Sequence, residues 1–154
     1  MFPRCFEMKY LEFKIIGGLD MIGDFGLLAL RLVLGLVFMG HGAQKAFGAF
    51  GGPGLAGASG FMASLGLKPA RFWAAVAAFS ELLAGVLLLV GVLMPIAAAL
   101  IVATMVVAIA KVHGPKGFFS QNGGYEYNLV LLVAALTLAA TGPGAYSLGH
   151  LLSR

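Results

Sequence analysis

The stretch LLALRLVLGLVFMGHGAQKAF, Leu27 to Phe47, is long and apolar enough to cross a bilayer, yet it carries Arg31, His41, Gln44 and Lys45. A helix needs about 20 mostly apolar residues to span the hydrocarbon core. A charge inside that core costs on the order of 3 kcal/mol on insertion scales, so it persists only where it is paired, hydrated or near an interface. A helix that keeps such residues is building something with its neighbours. The remaining chain suggests a partner, because Glu81 is the only acidic residue between Asp24 and Glu126.

Working outward, the 154 residues are 60% hydrophobic and only 10% charged, with a mean hydropathy of +0.98. A soluble domain carries roughly a quarter charged residues, so the solvent of this chain is lipid. Four apolar runs are expected as spans: 25–47, 71–93, 95–112 and 125–141. The fold class is therefore an all-α integral membrane four-helix bundle, one membrane domain over 21–154, with no separate soluble catalytic domain. Residues 1–20 mix Arg4, Glu7, Lys9, Glu12, Lys14 and Asp20 and form no signal-type apolar core. They are expected to be a flexible or amphipathic tail, with Met8 and Met21 as alternative starts.

The net charge of +4 is spread thinly and contains no basic run, which argues against nucleic acid as a partner. Snorkelling and lipid headgroups account for the bases more simply. A single cysteine, Cys5, rules out an intrachain disulfide, and no cluster of zinc type exists, so no metal site is expected.

Between the first two spans, GAFGGPGLAGASG (Gly48 to Gly60) reads as a loop. It lacks the preceding strand and the Gly-Lys-Ser/Thr of a phosphate cradle. FMASLGLKP (Phe61 to Pro69) reads as a short interfacial helix. Gly91 and Pro95 mark a hairpin; GPKGFFSQNGG (Gly114 to Gly124) is a loop, and AYSLGHLLSR after Gly142-Pro143-Gly144 an interfacial tail. Four spans put both termini on one side and the two glycine-rich loops on the other.

On the first span, Arg31, Gly35, Phe38, Gly42 and Lys45 fall within about 40° of one line, with His41 about 80° off it. Ala74, Ala77, Ala78, Glu81 and Gly85 share a face of the second span. Small residues let membrane helices approach closely, so these two faces are expected to pack together. Counting rise places Arg31 roughly 9 Å from Glu81 along the normal and His41 about 6 Å to its other side. Arg31 is then expected to pair with Glu81, and His41 to sit over the carboxylate in a site apt for proton transfer. The plain alternative is an Arg–Glu pair that only fixes helix register. Lys45 and Lys111 read as snorkelling residues. Lys45, His113, Lys116, Gln121, Asn122 and Glu126 gather at the loop side, either as a polar vestibule for a headgroup or quinone ring, with Lys45, His113 and Glu126 as its ligand-binding residues, or as an ordinary wetted loop.

The ordered series LRLVLGLVFMGHGAQKAFGAFGGPGLAG, FMASLGLKP, SELLAGVLLLVG, KVHGPKGFF with NGGYEYNL, and TGPGAYSL resembles the DoxX family, small four-helix bacterial membrane proteins. The similarity covers about residues 24–152. It puts weight on Arg31, Gly35, His41, Gly42, Lys45, Glu81, Gly85, His113 and Glu126. It also implies a redox context, since the family is similar to the small membrane subunit of thiosulfate:quinone oxidoreductase. Many members continue the final Ser-Leu with Asp, where this chain has Gly149 and His150, so a role for that carboxylate does not carry over.

The expectation is thus a multi-pass protein of the bacterial inner (plasma) membrane, a redox-associated subunit acting in oxidative or thiol stress or sulfur metabolism. Glu81, His41 and Arg31 form its catalytic polar cluster. Its partners are the lipid bilayer, a soluble or membrane redox enzyme and, as a homo-oligomer, further copies of itself. Quinone is the candidate cofactor. Haem is disfavoured: His41 and His113 share the loop side, but they make no convincing axial pair. The alternatives are a proton-coupled small-molecule transporter using Glu81, and a non-catalytic scaffold for a soluble enzyme.

Overall fold

The computed structural model describes residues 4–152; for 4–17 and Leu19 it describes the backbone alone. Within these bounds the regular structure is helical throughout. The order is α1 (Arg4–Phe47), α2 (Gly54–Ser64), α3 (Ala70–Val90), α4 (Met94–Ala108), α5 (Glu126–Thr141) and α6 (Leu148–Leu152). Stretches Asp20–Phe47, Ala70–Val90 and Met94–Lys116 are long and apolar enough to cross a membrane, and Glu126–Thr141 is a shorter apolar helix. The chain is an all-α integral membrane bundle, as its composition requires.

α1 runs without a break from Arg4, so no interruption of the backbone marks the boundary expected at residue 20. The amphipathic character expected of the tail rests on side chains outside the described residues. α4 continues through a π-type turn at Ile109–His113 and a tight turn at Gly114–Lys116, which carries the third span past the expected residue 112.

One expectation needs correcting. The glycine-rich segment 48–60 is not a loop throughout, because α2 begins at Gly54 and ends at Ser64, seven residues ahead of the expected start at Phe61. Glycine is a poor helix former in isolation. Here the segment lies against α3 with Ala58 buried, and packing overrides propensity.

Two glycines set the ends. Gly91 closes α3 at φ 79, and Val92 donates its amide to the Leu87 carbonyl at 3.1 Å, so the chain turns within three residues into α4, whose first turn holds Pro95. Gly142, at φ 83, ends α5 and lets the chain double back. Residues 142–150 then lie as a strap against α1 and the α3–α4 turn: the Gly149 amide reaches the Gly91 carbonyl at 3.1 Å and the Ala145 amide reaches Asp24 Oδ1 at 2.8 Å. The strap therefore marks one end of the bundle. The other end holds Phe50, after α1, and Tyr127, at the start of α5, which share a groove.

The core lies between α1, α3, α4 and α5 and includes Leu34, Phe38, Leu88, Ile101, Leu131 and Leu138. Alanines fill the closest approaches, with Ala74, Ala78, Ala84, Ala97 and Ala135 fully buried. Large apolar side chains such as Val33, Leu83, Val106 and Val130 point outward, as lipid as solvent demands.

Candidate functional site: a buried Lys45–Glu81 pair

α1 and α3 cross where the sequence places its small residues. A methyl on Gly85 would fall 2.6 Å from the Met39 amide nitrogen, and one on Gly42 would fall 2.8 Å from the Ala78 carbonyl oxygen. Both contacts are with backbone, so neither glycine can gain a side chain unless the helices part. The expected packing of the two small-residue faces is observed.

The register of that crossing decides the ion pair. Gly42 abuts Ala78 and Leu82, so Glu81 lies level with Gly42 on α1. Lys45 is then less than one turn away. Arg31 is eleven residues away, about 16 Å along the axis at 1.5 Å per residue, beyond the reach of its side chain. Glu81 accordingly pairs with Lys45. The Glu81 side chain is 6% exposed and that of Lys45 29%, so the carboxylate is sunk in the crossing while the lysine side chain stays partly open. Two expectations fall together. Arg31 does not pair with Glu81, because the offset between α1 and α3 is larger than rise counted from guessed span ends. Lys45 is not a snorkelling residue, because that same offset brings it to the carboxylate.

Nor does His41 sit over the carboxylate. It is exposed on the outward side of α1 and lines a groove of about 220 Å³ with Gln44, Phe50 and Tyr127. Phe50 holds a left-handed backbone at φ 54, ψ 32, unfavourable for a residue with a Cβ. Gly52 pins this turn, since a methyl there would fall 2.5 Å from Gln44 Cβ.

His113 and Glu126 are both spent on the second loop. His113 Nδ1 lies 2.7 Å from the Gly123 carbonyl oxygen; a carbonyl can only accept, so this nitrogen carries the proton. Glu126 accepts the Ser120 hydroxyl, while its amide donates to Phe118 O at 2.9 Å. The structure thus brings Lys45 to Glu81, and His113 to the same small loop as Glu126. Among the described residues no group of three or more His, Cys, Asp or Glu is arranged to hold a metal ion.

At the strap end, Arg31 is 1% exposed and donates from Nη2 to the Tyr146 carbonyl at 2.6 Å. A methyl on Gly91 would fall 1.6 Å from Arg31 Nη1 and 2.6 Å from Ser147 Cβ, so a side chain there must displace the guanidinium and the strap, and its φ favours glycine as well. Tyr146 also stacks on Phe25, ring centroids 4.7 Å apart. Asp24 and the strap are the functional-looking contacts that sequence reasoning missed. The available signal was weak: Asp24 and Arg31 lie seven residues apart on one helical face, and a Gly-Pro-Gly turn precedes the tail.

Fold and site together define a small all-α membrane bundle with a charged pair sunk in its α1–α3 crossing. The DoxX family profile matches residues 26–114. The chain is 30% identical over 142 residues to "Uncharacterized membrane protein Rv3486" of Mycobacterium tuberculosis, covering 86% of this chain and 84% of that one. It is 34% identical over 119 residues to "Putative oxidoreductase CatD" of Bacillus subtilis, covering 77% and 81%. No solved structure matches. The chain belongs to the DoxX family.

Proposed function

We propose that the protein is a redox-associated, multi-pass subunit of the bacterial inner membrane in which the Lys45–Glu81 pair holds an exchangeable proton. The observation that carries the reading is this pair's burial. Ionisable residues inside a membrane are expensive to keep and face functional interiors, and a pair retained only for stability is poorly motivated, since apolar replacements often serve as well or better. The oxidoreductase association comes from the name of the Bacillus subtilis relative.

The groove between α1 and Tyr127 of α5 is compatible with a quinone ring. At about 220 Å³ it falls below the roughly 300–1,000 Å³ of drug-sized pockets, which suits one ring and leaves a tail in lipid. His41 and Gln44 would hydrogen-bond the ring oxygens, with Phe50 and Tyr127 as its walls. A bound quinone would supply two-electron, two-proton chemistry, with electrons from a partner redox enzyme. The chain's own part is to hold and deliver the proton. His41 precedes Lys45 by one helical turn, so it is the residue suited to pass a proton between the pair and the groove.

The test compares Glu81→Gln with wild type, at matched membrane abundance, in complementation under oxidative or thiol stress, alongside the quinone content of purified protein. Loss of rescue with retained folding supports the reading. Full rescue by Glu81→Gln removes proton chemistry and leaves a scaffold for a soluble enzyme.

A further inference from the structure

Arg31 is the buried cation that the redox reading does not use. Its Nη2 is met by the Tyr146 carbonyl at 2.6 Å, while Nε and Nη1 have no hydrogen-bond partner among the described residues. One face along, Asp24 Oδ1 accepts the Ala145 amide at 2.8 Å. A carboxylate therefore holds the donor end of a two-residue stretch of strap, and a guanidinium holds its acceptor end. A neutral peptide is a weak occupant for such a clamp. Each of these bonds already has one ionised partner, but a neutral peptide adds no net Coulomb attraction to either charge, and the guanidinium fork is shaped for two oxygens at once.

Beside the clamp lies a pocket of about 350 Å³ lined by Asp24, Thr141, Gly144, Ala145, Gly149 and His150, among others. Ala145 and Gly149 form part of its wall, whereas Tyr146 and Ser147, between them in sequence, lie against Arg31 and Gly91. The main chain of the strap is what separates the guanidinium from the pocket.

We propose that Asp24 and Arg31 form a binding site for a zwitterion, an oxyanion joined to a primary ammonium, which displaces strap residues 145–147 from the clamp. The oxyanion takes Nε and Nη2 of Arg31, and the ammonium takes the Asp24 carboxylate. The two side chains converge on groups two residues of main chain apart, roughly 7 Å, a span that a phosphate and an ammonium linked by two carbons bridge with small side-chain movement. A bare anion suits the site less well, because the Asp24 carboxylate faces the same pocket. Phosphatidylethanolamine at the membrane surface and free phosphoethanolamine share the required chemistry. The site is independent of the proton centre at Glu81.

The test uses the full chain, delipidated in detergent, with phosphatidylethanolamine, phosphatidylglycerol or phosphatidylcholine added singly and retention read by native mass spectrometry. A second readout is maleimide labelling of Ser147→Cys, a position half-buried against Gly91, in a Cys5→Ser background. Phosphatidylethanolamine should be retained about tenfold more tightly than either other lipid and should speed labelling at position 147. Asp24→Asn should erase the preference while leaving the helical content unchanged. Equal retention of the three lipids, a preference that survives Asp24→Asn, or labelling indifferent to lipid would each overturn the proposal. Competition by free phosphoethanolamine would identify the headgroup alone as sufficient, and binding of the lipid without such competition would identify the lipid.

Discussion

Lys45 and Arg31 are two cations of one helix, fourteen residues apart, the first partly open and the second fully buried, and the protein treats them oppositely. Near the loop end Lys45 meets a carboxylate, so charge is cancelled by charge. At the strap end, among the described residues, Arg31 meets a single carbonyl oxygen and keeps two nitrogens unmatched. Matching charge fixes two helices to each other, because both partners sit on long, rigid elements. Holding a carbonyl fixes only a short strap, whose main chain has no charge of its own to lose. The first arrangement is built to keep its partner, and the second is the one our proposal requires to exchange it.

That contrast predicts its largest effect at the ion pair. Lys45→Met alone strands the buried Glu81 charge and should cost about 3–5 kcal/mol in detergent unfolding, Glu81→Leu should cost less because Lys45 is partly open, and the double replacement recovers most of the loss. A double mutant that merely sums the single losses would show the pair to be uncoupled. Next comes the crossing that positions it. Gly85→Ala pushes a methyl onto the Met39 backbone and should cost about 1–3 kcal/mol as overpacking does, with helical content retained. If the variant unfolds at the wild-type midpoint, the two helices do not approach this closely.

Arg31 should behave differently. Arg31→Leu removes one hydrogen bond and strands no charge elsewhere, so the expected loss is about 1–2 kcal/mol, with faster proteolysis of the strap after Thr141. Combined with Glu81→Leu its effect should be additive to within about 0.5 kcal/mol, as for separated sites. A larger coupling energy would mean that Arg31 and Glu81 interact after all.

The helical bundle was legible in the sequence because lipid as solvent leaves few ways to satisfy a backbone, and apolar length then reads directly as a span. The α1–α3 contact was legible for a similar reason: Gly35, Gly42, Ala78 and Gly85 declare a close approach without any knowledge of register. Register itself was not legible. An error of a few residues in where α1 and α3 begin shifts their relative height by several ångströms, and that is enough to exchange Arg31 for Lys45 as the partner of Glu81. The partner of Arg31 was hidden for another reason. A backbone carbonyl carries no sequence signature, so reasoning that paired side chains with side chains had no means of finding Tyr146. The start of α2 at Gly54 was obscured in turn by glycines whose helix depends on contact with α3.

The smallest expected effect separates stability from function at the loop end, in the groove lined by His41, Gln44, Phe50 and Tyr127. Phe50 is 83% exposed and left-handed at φ 54, so its ring gains little from burial while its Cβ is strained. A left-handed conformation costs an ordinary residue about 1–2 kcal/mol, and glycine relieves it at the price of greater freedom in the unfolded chain. Phe50→Gly should therefore raise the unfolding free energy by up to about 1 kcal/mol. If the ring is a wall of the ligand groove, the same change should weaken quinone retention and rescue under oxidative stress. Strain kept at a position where a simple substitution would remove it is the pattern expected of a functional residue. A variant that is more stable and fully active would mark Phe50 as an ordinary interfacial anchor. One that is destabilised would show that its ring packs against something in the membrane, and the strain argument for the groove would fall with it.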